Sequence, residues 1–358
     1  MYSKNQMFKK FFVILVPLFL MGCKTLYPPT FDQQTQAYTK SIEQYQINQL
    51  FTNIIRASES RPIAFVEIPS VLGNASSASS LGGSFSLAET QANTTLWGIS
   101  NLTGAGLSPN QSYSQGFTFT QSSLDNAVFW KEFLSTLNLE KTKYFGLHTY
   151  PRELVFKLLI ENFSIVEKNG DMELFLNNPL FSGYKKFDDL FNFLIDNGFT
   201  LAESISEKNA PRFCLARPPQ ENSQYRFEKE YYCYPDQVKF PGEKKLVIYV
   251  RSSKDIFDYV GKVVKAQHLP NPVYVEIRAN TEYVYNDDPK NNKIFVAIKN
   301  PSMFTARYAQ TYDLRGTSYI IPAEDNGFSQ TVLSILHQLV ILTKIPGSAG
   351  QTPGILVR

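Results

Sequence analysis

Histidine and cysteine are scarce in this chain, with three of each among 358 residues. None of them has the spacing of a zinc site such as H-E-x-x-H, C-x-x-C or His-x-His, so the sequence predicts no bound metal. The glycine patterns that hold phosphate are also absent, as is the G-x-S-x-G elbow of hydrolases. From these absences we expect no catalytic residue, no cofactor and no enzyme activity.

One spacing is shared with penicillin-binding enzymes, because Ser182 precedes Lys185 by three positions as in S-x-x-K. That chemistry also needs S-D-N-like and K-T-G-like elements, which the chain lacks. We interpret Ser182 instead as the N-cap of a helix over residues 185–197.

The chain also lacks a hydrophobic run of the roughly 20 residues that a bilayer-spanning helix needs. Its apolar run covers only residues 11–21, contains Pro17, and follows Lys4, Lys9 and Lys10. A basic region followed by a short apolar region is the plan of a secretory signal peptide. The sequence therefore predicts export, with residues 1–22 as the signal.

The residues after this run, Leu20-Met21-Gly22-Cys23, resemble the lipobox of bacterial lipoprotein precursors. The resemblance implies that the Cys23 thiol receives a diacylglyceryl group and that cleavage makes Cys23 the first residue. It also implies outer-membrane sorting, because Lys24 rather than Asp follows, and a lipid-anchored protein that faces the periplasm. Acyl chains contribute about 0.8 kcal/mol per buried methylene to membrane binding. The alternative is an ordinary signal peptide that happens to contain a cysteine.

Net charge gives no indication of a nucleic-acid partner. The formal charge of +3 comes from the three lysines of the signal, so the remaining chain is neutral. A neutral chain has no general attraction for nucleic acid.

The two other cysteines, Cys214 and Cys233, lie in strand-like aromatic stretches. In an oxidising compartment we expect them to form a disulfide, which would stabilise the fold by roughly 3 kcal/mol. Two free buried thiols are the alternative.

Charge is nearly missing from one long segment, because Glu89 is the only charged residue between Glu67 and Asp125. The segment is rich in Ser, Thr, Asn, Gln and Gly. Period-two alternation predicts strands over residues 81–89 and 113–121. As a membrane or partner interface we select its large apolar residues: Leu81, Phe85, Leu87, Trp97, Tyr113, Phe117 and Phe119.

Three interpretations of residues 70–121 stay open. The first is a sheet packed on the body with a solvated polar face. The second is an insertion that enters the outer membrane when several copies assemble, because spanning strands need about 9–11 residues and no charge. The third is a loop that a partner orders.

Elsewhere, alternating helical and strand patterns predict an α+β fold of mixed helices and antiparallel strands, with the Ser/Gly/Asn-rich β segment near the N-terminus. We expect a lipid anchor and tether over 23–40, a helix plus the charge-poor segment over 41–125, an α+β body over 126–344 and a tail over 345–358. Within these, Asn169-Gly170 predicts a hairpin, and the Ser252-Ser253 pair predicts a serine-capped helix. We also expect a strand over 63–68, a helix over 148–163, and a helix within 122–138 that Ser122 or Ser123 caps.

A second resemblance rests on "NIIRA" at 53–57, "RPIAF" at 61–65 and "SYIIPAEDNG" at 318–327. These motifs resemble uncharacterised proteobacterial envelope lipoproteins, which implies location rather than activity. The sequence therefore predicts a structural or assembly component of an outer-membrane machine, such as a secretion complex, with protein partners or further copies. The alternatives are a lipoprotein that binds a peptide, glycan or lipid, and a hydrolase.

Overall fold

The computed structural model describes residues 31–85, 105–124, 126–137, 150–167, 169–203, 211–215, 237–239, 245–278 and 292–344. The fold is α+β, as the sequence predicted. In chain order, its helices are α1 (Phe31–Ser58), α2 (Ala127–Leu134), α3 (Arg152–Leu159), α4 (Tyr184–Asp196), α5 (Ser253–Gln267) and α6 (Ser329–Thr343). Its strands are β1 (Val66–Phe85), β2 (Ala105–Ser123), β3 (Ile160–Val166), β4 (Met172–Leu176), β5 (Phe199–Glu203), β6 (Pro211–Leu215), β7 (Gln237–Lys239), β8 (Lys245–Val250), β9 (Ile298–Lys299), β10 (Arg307–Tyr312) and β11 (Ser318–Pro322).

Chain contacts divide the molecule into two compact units. Among the described residues, one unit contains residues 31–40, 68–85 and 105–122. The other, which we call the body, contains residues 41–67 and the described residues from 123 to 344. Most of α1 belongs to the body. The predicted domain boundary at 125/126 stays a prediction.

The body contains a four-stranded antiparallel sheet in the order β4-β3-β8-β7. Helix α4 and the β5–β6 hairpin pack with this sheet around a phenylalanine-rich core that includes Phe163, Phe187 and Phe199. The turn between β3 and β4 contains Gly170 with φ +88°, a backbone conformation that L side chains rarely adopt. The hairpin predicted from Asn169-Gly170 is thus confirmed.

A second core lies among the helices α1, α2, α3, α5 and α6 and the three-stranded sheet β10-β11-β9. Helices α1 and α5 approach closely at Gly261, where an added Cβ would lie 2.6 Å from the Ser58 nitrogen. Helix α5 begins with a capping box, in which Ser252 Oγ accepts from Asp255 N and the Asp255 carboxylate accepts from Ser252 N. The predicted serine cap is confirmed, with Ser252 as the capping residue.

Several boundaries differ from the predictions. Helix α1 begins at Phe31, inside the predicted tether, and β1 begins at Val66 rather than at Ile63. The predicted helix through Phe163 ends at Leu159, because Ile160 and Phe163 are buried in the sheet as strand residues.

Two predicted caps are also wrong. Asn126, not Ser122 or Ser123, caps α2 and accepts from Phe129 N through Oδ1 at 2.8 Å. Gly183, not Ser182, occupies the N-cap position of α4. Ser182 is exposed, and the helix starts without a side-chain capping hydrogen bond.

Candidate functional site

The charge-poor segment forms two long strands that are hydrogen-bonded neighbours, β1 of 20 residues and β2 of 19. We call this pair the ribbon. Glu67, at its start, is the only charged residue in either strand. Among the selected interface residues, Leu81 and Phe85 lie in β1, and Tyr113, Phe117 and Phe119 lie in β2. Leu87 and Trp97 lie outside the described residues.

The ribbon joins the body at residues 64–66 and 124, which we call the root. There the buried Asn53 of α1 forms hydrogen bonds with Ala64 through both the nitrogen and the oxygen of its side-chain amide. Its Nδ2 donates to the Ala64 carbonyl at 2.8 Å, and its Oδ1 accepts from the Ala64 nitrogen at 3.1 Å. One helical turn earlier, Gln49 Nε2 donates to the Val66 carbonyl at 3.0 Å. Two side chains of α1 thus form hydrogen bonds with the root backbone of the kind that a neighbouring strand would form.

Both chain segments of the root are fixed to each other and to the body. Leu124 N donates to the Phe65 carbonyl at 3.2 Å where the chain returns from β2. The Phe65 ring makes edge-on contacts with Phe129 of α2 at 5.8 Å, Phe133 of α2 at 5.4 Å and Phe257 of α5 at 5.5 Å between ring centroids. Such pairs add about 0.5–1.5 kcal/mol each beyond their buried area. The root is therefore a packed part of the body.

The root is built from two of the motifs that the sequence analysis singled out. "NIIRA" supplies Asn53, and "RPIAF" supplies Ala64 and Phe65. The loop between the motifs is closed by Arg61 N donating to the Arg56 carbonyl at 2.8 Å and by an ion pair between Arg61 and Glu59. Sequence reasoning missed the roles of Asn53 and Gln49, although the close succession of the two motifs was the signal for their contact.

A second polar site lies at the junction between α3 and β3, where the last four helix carbonyls need partners. The Phe156 carbonyl accepts from Ile160 N. The buried Arg251 supplies the other three bonds: its Nη1 donates to the carbonyls of Lys157 and Leu158, and its backbone nitrogen donates to the carbonyl of Leu159. One residue, directly after β8, thus completes the end of a distant helix with its side chain and its backbone nitrogen.

The same guanidinium makes further contacts. Nη1 donates to the Ile160 carbonyl at 2.6 Å, and Nη2 donates to the Asn177 carbonyl at 2.8 Å. The guanidinium carbon lies 3.9 Å from the centre of the Tyr259 ring. Burial lowers the pKa of Arg251 to about 10, so the group remains a cation at neutral pH. Burial also raises the pKa of Tyr259, which keeps its hydroxyl neutral.

Next to this junction, α3 buries two opposite charges one turn apart. Lys157 Nζ donates to Asp188 Oδ1 at 2.8 Å and to the Glu276 carbonyl at 2.6 Å. Glu153 Oε1 accepts from Arg278 N at 3.2 Å. Burial raises the pKa of Glu153, although Lys157 and Arg278 act in the opposite direction. The sequence analysis did not identify these residues, because their partners come from distant parts of the chain.

The two histidines within the described residues lie in a helix or at the end of one. His268 is the C-cap of α5, with Nδ1 2.8 Å from the Val264 carbonyl oxygen, and its ring meets Tyr319 edge-on. His337 lies on α6, and burial lowers its pKa. Within the described ranges, no cluster of three or more His, Cys, Asp or Glu side chains has an arrangement that would hold a metal ion.

The predicted modification sites fall only partly within the described ranges. Cys23 and Cys233 lie outside them. Cys214, on β6, is 4% exposed. Its disulfide with Cys233 stays a prediction.

Comparison with known proteins gives no relative for this chain: no family model matches it, and no curated protein or solved structure is significantly similar. Of the helices that the structure describes, none combines the length and the apolar character needed to cross a membrane.

Proposed function

We propose that this protein is a lipid-anchored component of an outer-membrane assembly, and that the ribbon is the part that meets the membrane and neighbouring copies. The observation that carries the proposal is the ribbon itself. Its two neighbouring strands have 20 and 19 residues, and the two strands together contain one charged residue, Glu67. At the chain's overall 19% of charged residues, about seven would be expected.

The absence of charge has a clear physical use in a membrane. A lysine or arginine at the lipid-facing midplane costs a spanning strand about 2–4 kcal/mol, whereas apolar residues form its lipid-facing band. At about 3.3 Å per residue the strands are roughly 60 Å long, about twice the hydrocarbon thickness of a bilayer. The ribbon is long enough to cross the membrane and to extend beyond it.

The strand edges favour assembly. A two-stranded ribbon is marginally stable by itself in water, because each strand leaves one row of backbone N–H and C=O groups unpaired. In lipid these groups must be paired with protein. Ribbons from neighbouring copies would provide matching edges, which makes further copies of this chain the partner that fits best.

The proposal is tested by adding one charge to the ribbon of the full-length lipoprotein. Phe117→Lys in β2 is expected to abolish the ring-shaped oligomers that mild detergent extracts from membranes. Met303→Lys, at a body position that is 87% exposed, is the matched control and should leave the oligomers intact. Electron microscopy and size-exclusion chromatography measure the result.

A wild-type protein that is extracted only as monomers would contradict the assembly. The anchor is tested separately by Cys23→Ser, which should abolish palmitate labelling and release the protein from the outer-membrane fraction. Unchanged labelling in that variant would refute the lipid anchor.

A further inference from the structure

Strand β4 forms one edge of the four-stranded sheet in the body. It pairs with β3, and no strand within the described ranges pairs with its other side. Phe175 is buried in the core beneath the sheet, so the side chains of Met172, Leu174 and Leu176 lie on the opposite face. There Met172 is 60% exposed and Leu174 is 47% exposed. The edge strand thus presents apolar side chains to solvent.

The same residues direct their backbone groups to the free edge. In an antiparallel pair, residues that bond the neighbouring strand alternate with residues whose N–H and C=O groups point away from it. Asn177 N donates to the Glu161 carbonyl at 3.0 Å, so the residues two and four positions before Asn177 also bond β3. The N–H and C=O groups of Met172, Leu174 and Leu176 therefore point away from β3.

Other sheet edges of the body are short or covered. Side chains of α1 cover the outer edge of β10, where Gln44 Nε2 donates to the Tyr308 carbonyl at 3.0 Å. Asn48 Oδ1 accepts from Gln310 N at 3.1 Å on the same edge. Strands β7 and β9 have only three and two residues. Short strands and covering groups protect edges from pairing with another chain, whereas β4 has five residues and no such cover from the described part of the chain.

We propose that the outer edge of β4 is an interaction surface for the β4 strand of a second copy of this chain. In the antiparallel register centred on Leu174, this residue lies opposite the partner's Leu174, and their outward N–H and C=O groups form hydrogen bonds with each other. Met172 lies opposite the partner's Leu176, so apolar side chains meet on the exposed face. The two sheets then become one continuous sheet.

Charge does not oppose this pairing. Glu173 is the only charged residue of β4, and it lies opposite the partner's Phe175 in the same register. Each Glu173 carboxylate also forms an exposed ion pair with Lys186 of its own copy at 3.5 Å. Like charges directly opposite each other destabilise a strand pair, and this register contains none. The strand is therefore complementary to itself, which favours a second copy over an unrelated strand.

The contact is small, which determines where it forms. A standard interface has about 20–30 residues on each side, whereas β4 contributes five. We expect the pair between copies concentrated on one membrane, and dilute detergent should separate it. In this respect the inference rests on the proposed lipid anchor. The contact is two-fold and joins copies in pairs, so it differs from the contact that repeats around a ring.

Cross-linking of the full-length lipoprotein in membranes tests the register. Hydrogen-bonded residues of antiparallel strands lie about 5.5 Å apart between their Cα atoms, a distance that a disulfide spans. Leu174→Cys should therefore give a covalent dimer on mild oxidation. Met303→Cys, at a body position that is 87% exposed, is the matched control. It should give roughly tenfold less dimer, because it has no facing partner.

A charge exchange separates loss of pairing from loss of folding. Two co-expressed copies with different tags carry Met172→Cys on one and Leu176→Cys on the other, and the register predicts that they cross-link as a mixed dimer. Adding Leu174→Lys to both copies should lower the mixed dimer about fivefold, because two lysines would face each other. Leu174→Lys on one copy and Leu174→Glu on the other should restore it.

Two results would overturn the inference. One is equal cross-linking of Leu174→Cys and Met303→Cys in protein that is normally labelled with palmitate. The other is a mixed dimer that does not depend on the charges at position 174, including failure of the Lys and Glu combination to restore it. Loss of palmitate labelling in the parent protein would instead refute the lipid anchor of the proposed function, so the two failures are distinguishable.

Discussion

The ribbon and the four-stranded sheet of the body differ in their charged residues and in the elements that pack against them. The sheet is covered on one face by α4 and the β5–β6 hairpin, and the charges buried beside it are paired or hydrogen-bonded. The ribbon has almost no charge, and its strands have no further strand neighbour among the described residues. The body is stabilised by its own contacts, and the difference supports the proposal that the ribbon depends on partners outside the chain.

Removal of the ribbon is expected to have the largest effect on assembly and almost none on the body. Replacing residues 70–121 by a short turn keeps Asn53, Phe65 and Leu124, so the root contacts can still form. We expect complete loss of oligomers with an unchanged unfolding midpoint of the body. Denaturant unfolding followed by circular dichroism, together with electron microscopy, measures both. A lower unfolding midpoint would show that the ribbon stabilises the body and would break the comparison.

Arg251→Met should have the largest effect on the body. It leaves the carbonyls of Lys157, Leu158, Ile160 and Asn177 without their guanidinium donor in a buried site. We expect the free energy of unfolding to fall by about 3–5 kcal/mol. Arg251→Lys should recover little, because an ammonium group lacks the planar fork.

The control for that substitution is Lys186→Met. Lys186 forms an exposed pair with Glu173 at 3.5 Å, so its loss should change the free energy of unfolding by at most about 1 kcal/mol. An equally small change for Arg251→Met would contradict the role of Arg251 at the helix end.

Gly261→Ala should have an intermediate effect. The added methyl group would meet backbone atoms of Ser58 and Ala57 at the end of α1, which are not free to move as a side-chain tip is. Overpacking of this kind costs about 1–3 kcal/mol, measurable by thermal denaturation. Gly170→Ala is the contrasting variant. No neighbouring atom lies within 4 Å of the Cβ that it would add, so only the positive φ of this position is unfavourable for alanine. A neutral result for Gly261→Ala would mean that α1 is packed less tightly on α5 than the structure shows.

The smallest effect concerns pH and Glu153. Burial raises the pKa of this carboxyl in the folded state above its ordinary value of 4.5, so the folded protein binds the proton more tightly than the unfolded chain. Stability from this group is therefore greatest in acid and falls as pH rises from the ordinary pKa to the folded one.

The neutral variant Glu153→Gln removes this dependence. The free energy of unfolding of the wild type minus that of Glu153→Gln should decrease from pH 4 toward neutral pH. Urea denaturation at several pH values measures the difference, with Glu173→Gln, at an exposed position, as the control. A difference that increases with pH would show that the pair with Arg278 outweighs the burial.

Local signals predicted local structure well. Asn169-Gly170 gave the β3–β4 hairpin and Ser252 gave the start of α5, because both depend on residues within a few positions. The end of α3 was predicted wrongly, because Ile160 and Phe163 are placed in a strand by their burial against distant elements.

The candidate sites show the same limit. The absence of charge in the ribbon is visible in the sequence, and so are the root motifs. The pairing of Asn53 with Ala64 is a side-chain bond to backbone across a loop, and no periodicity predicts it. Arg251 is harder still, because it meets carbonyls that lie more than 70 positions earlier in the chain.

That long separation has a consequence for folding. Synthesis delivers α3 and β3 well before Arg251, so the carbonyls of Leu158 and Leu159 lack the donors that Arg251 supplies until the chain beyond β8 arrives. Closing such a long loop is slow compared with forming a helix or hairpin. The junction is therefore expected to form late and cooperatively, and the central sheet would stay incomplete until β8 and Arg251 have been delivered.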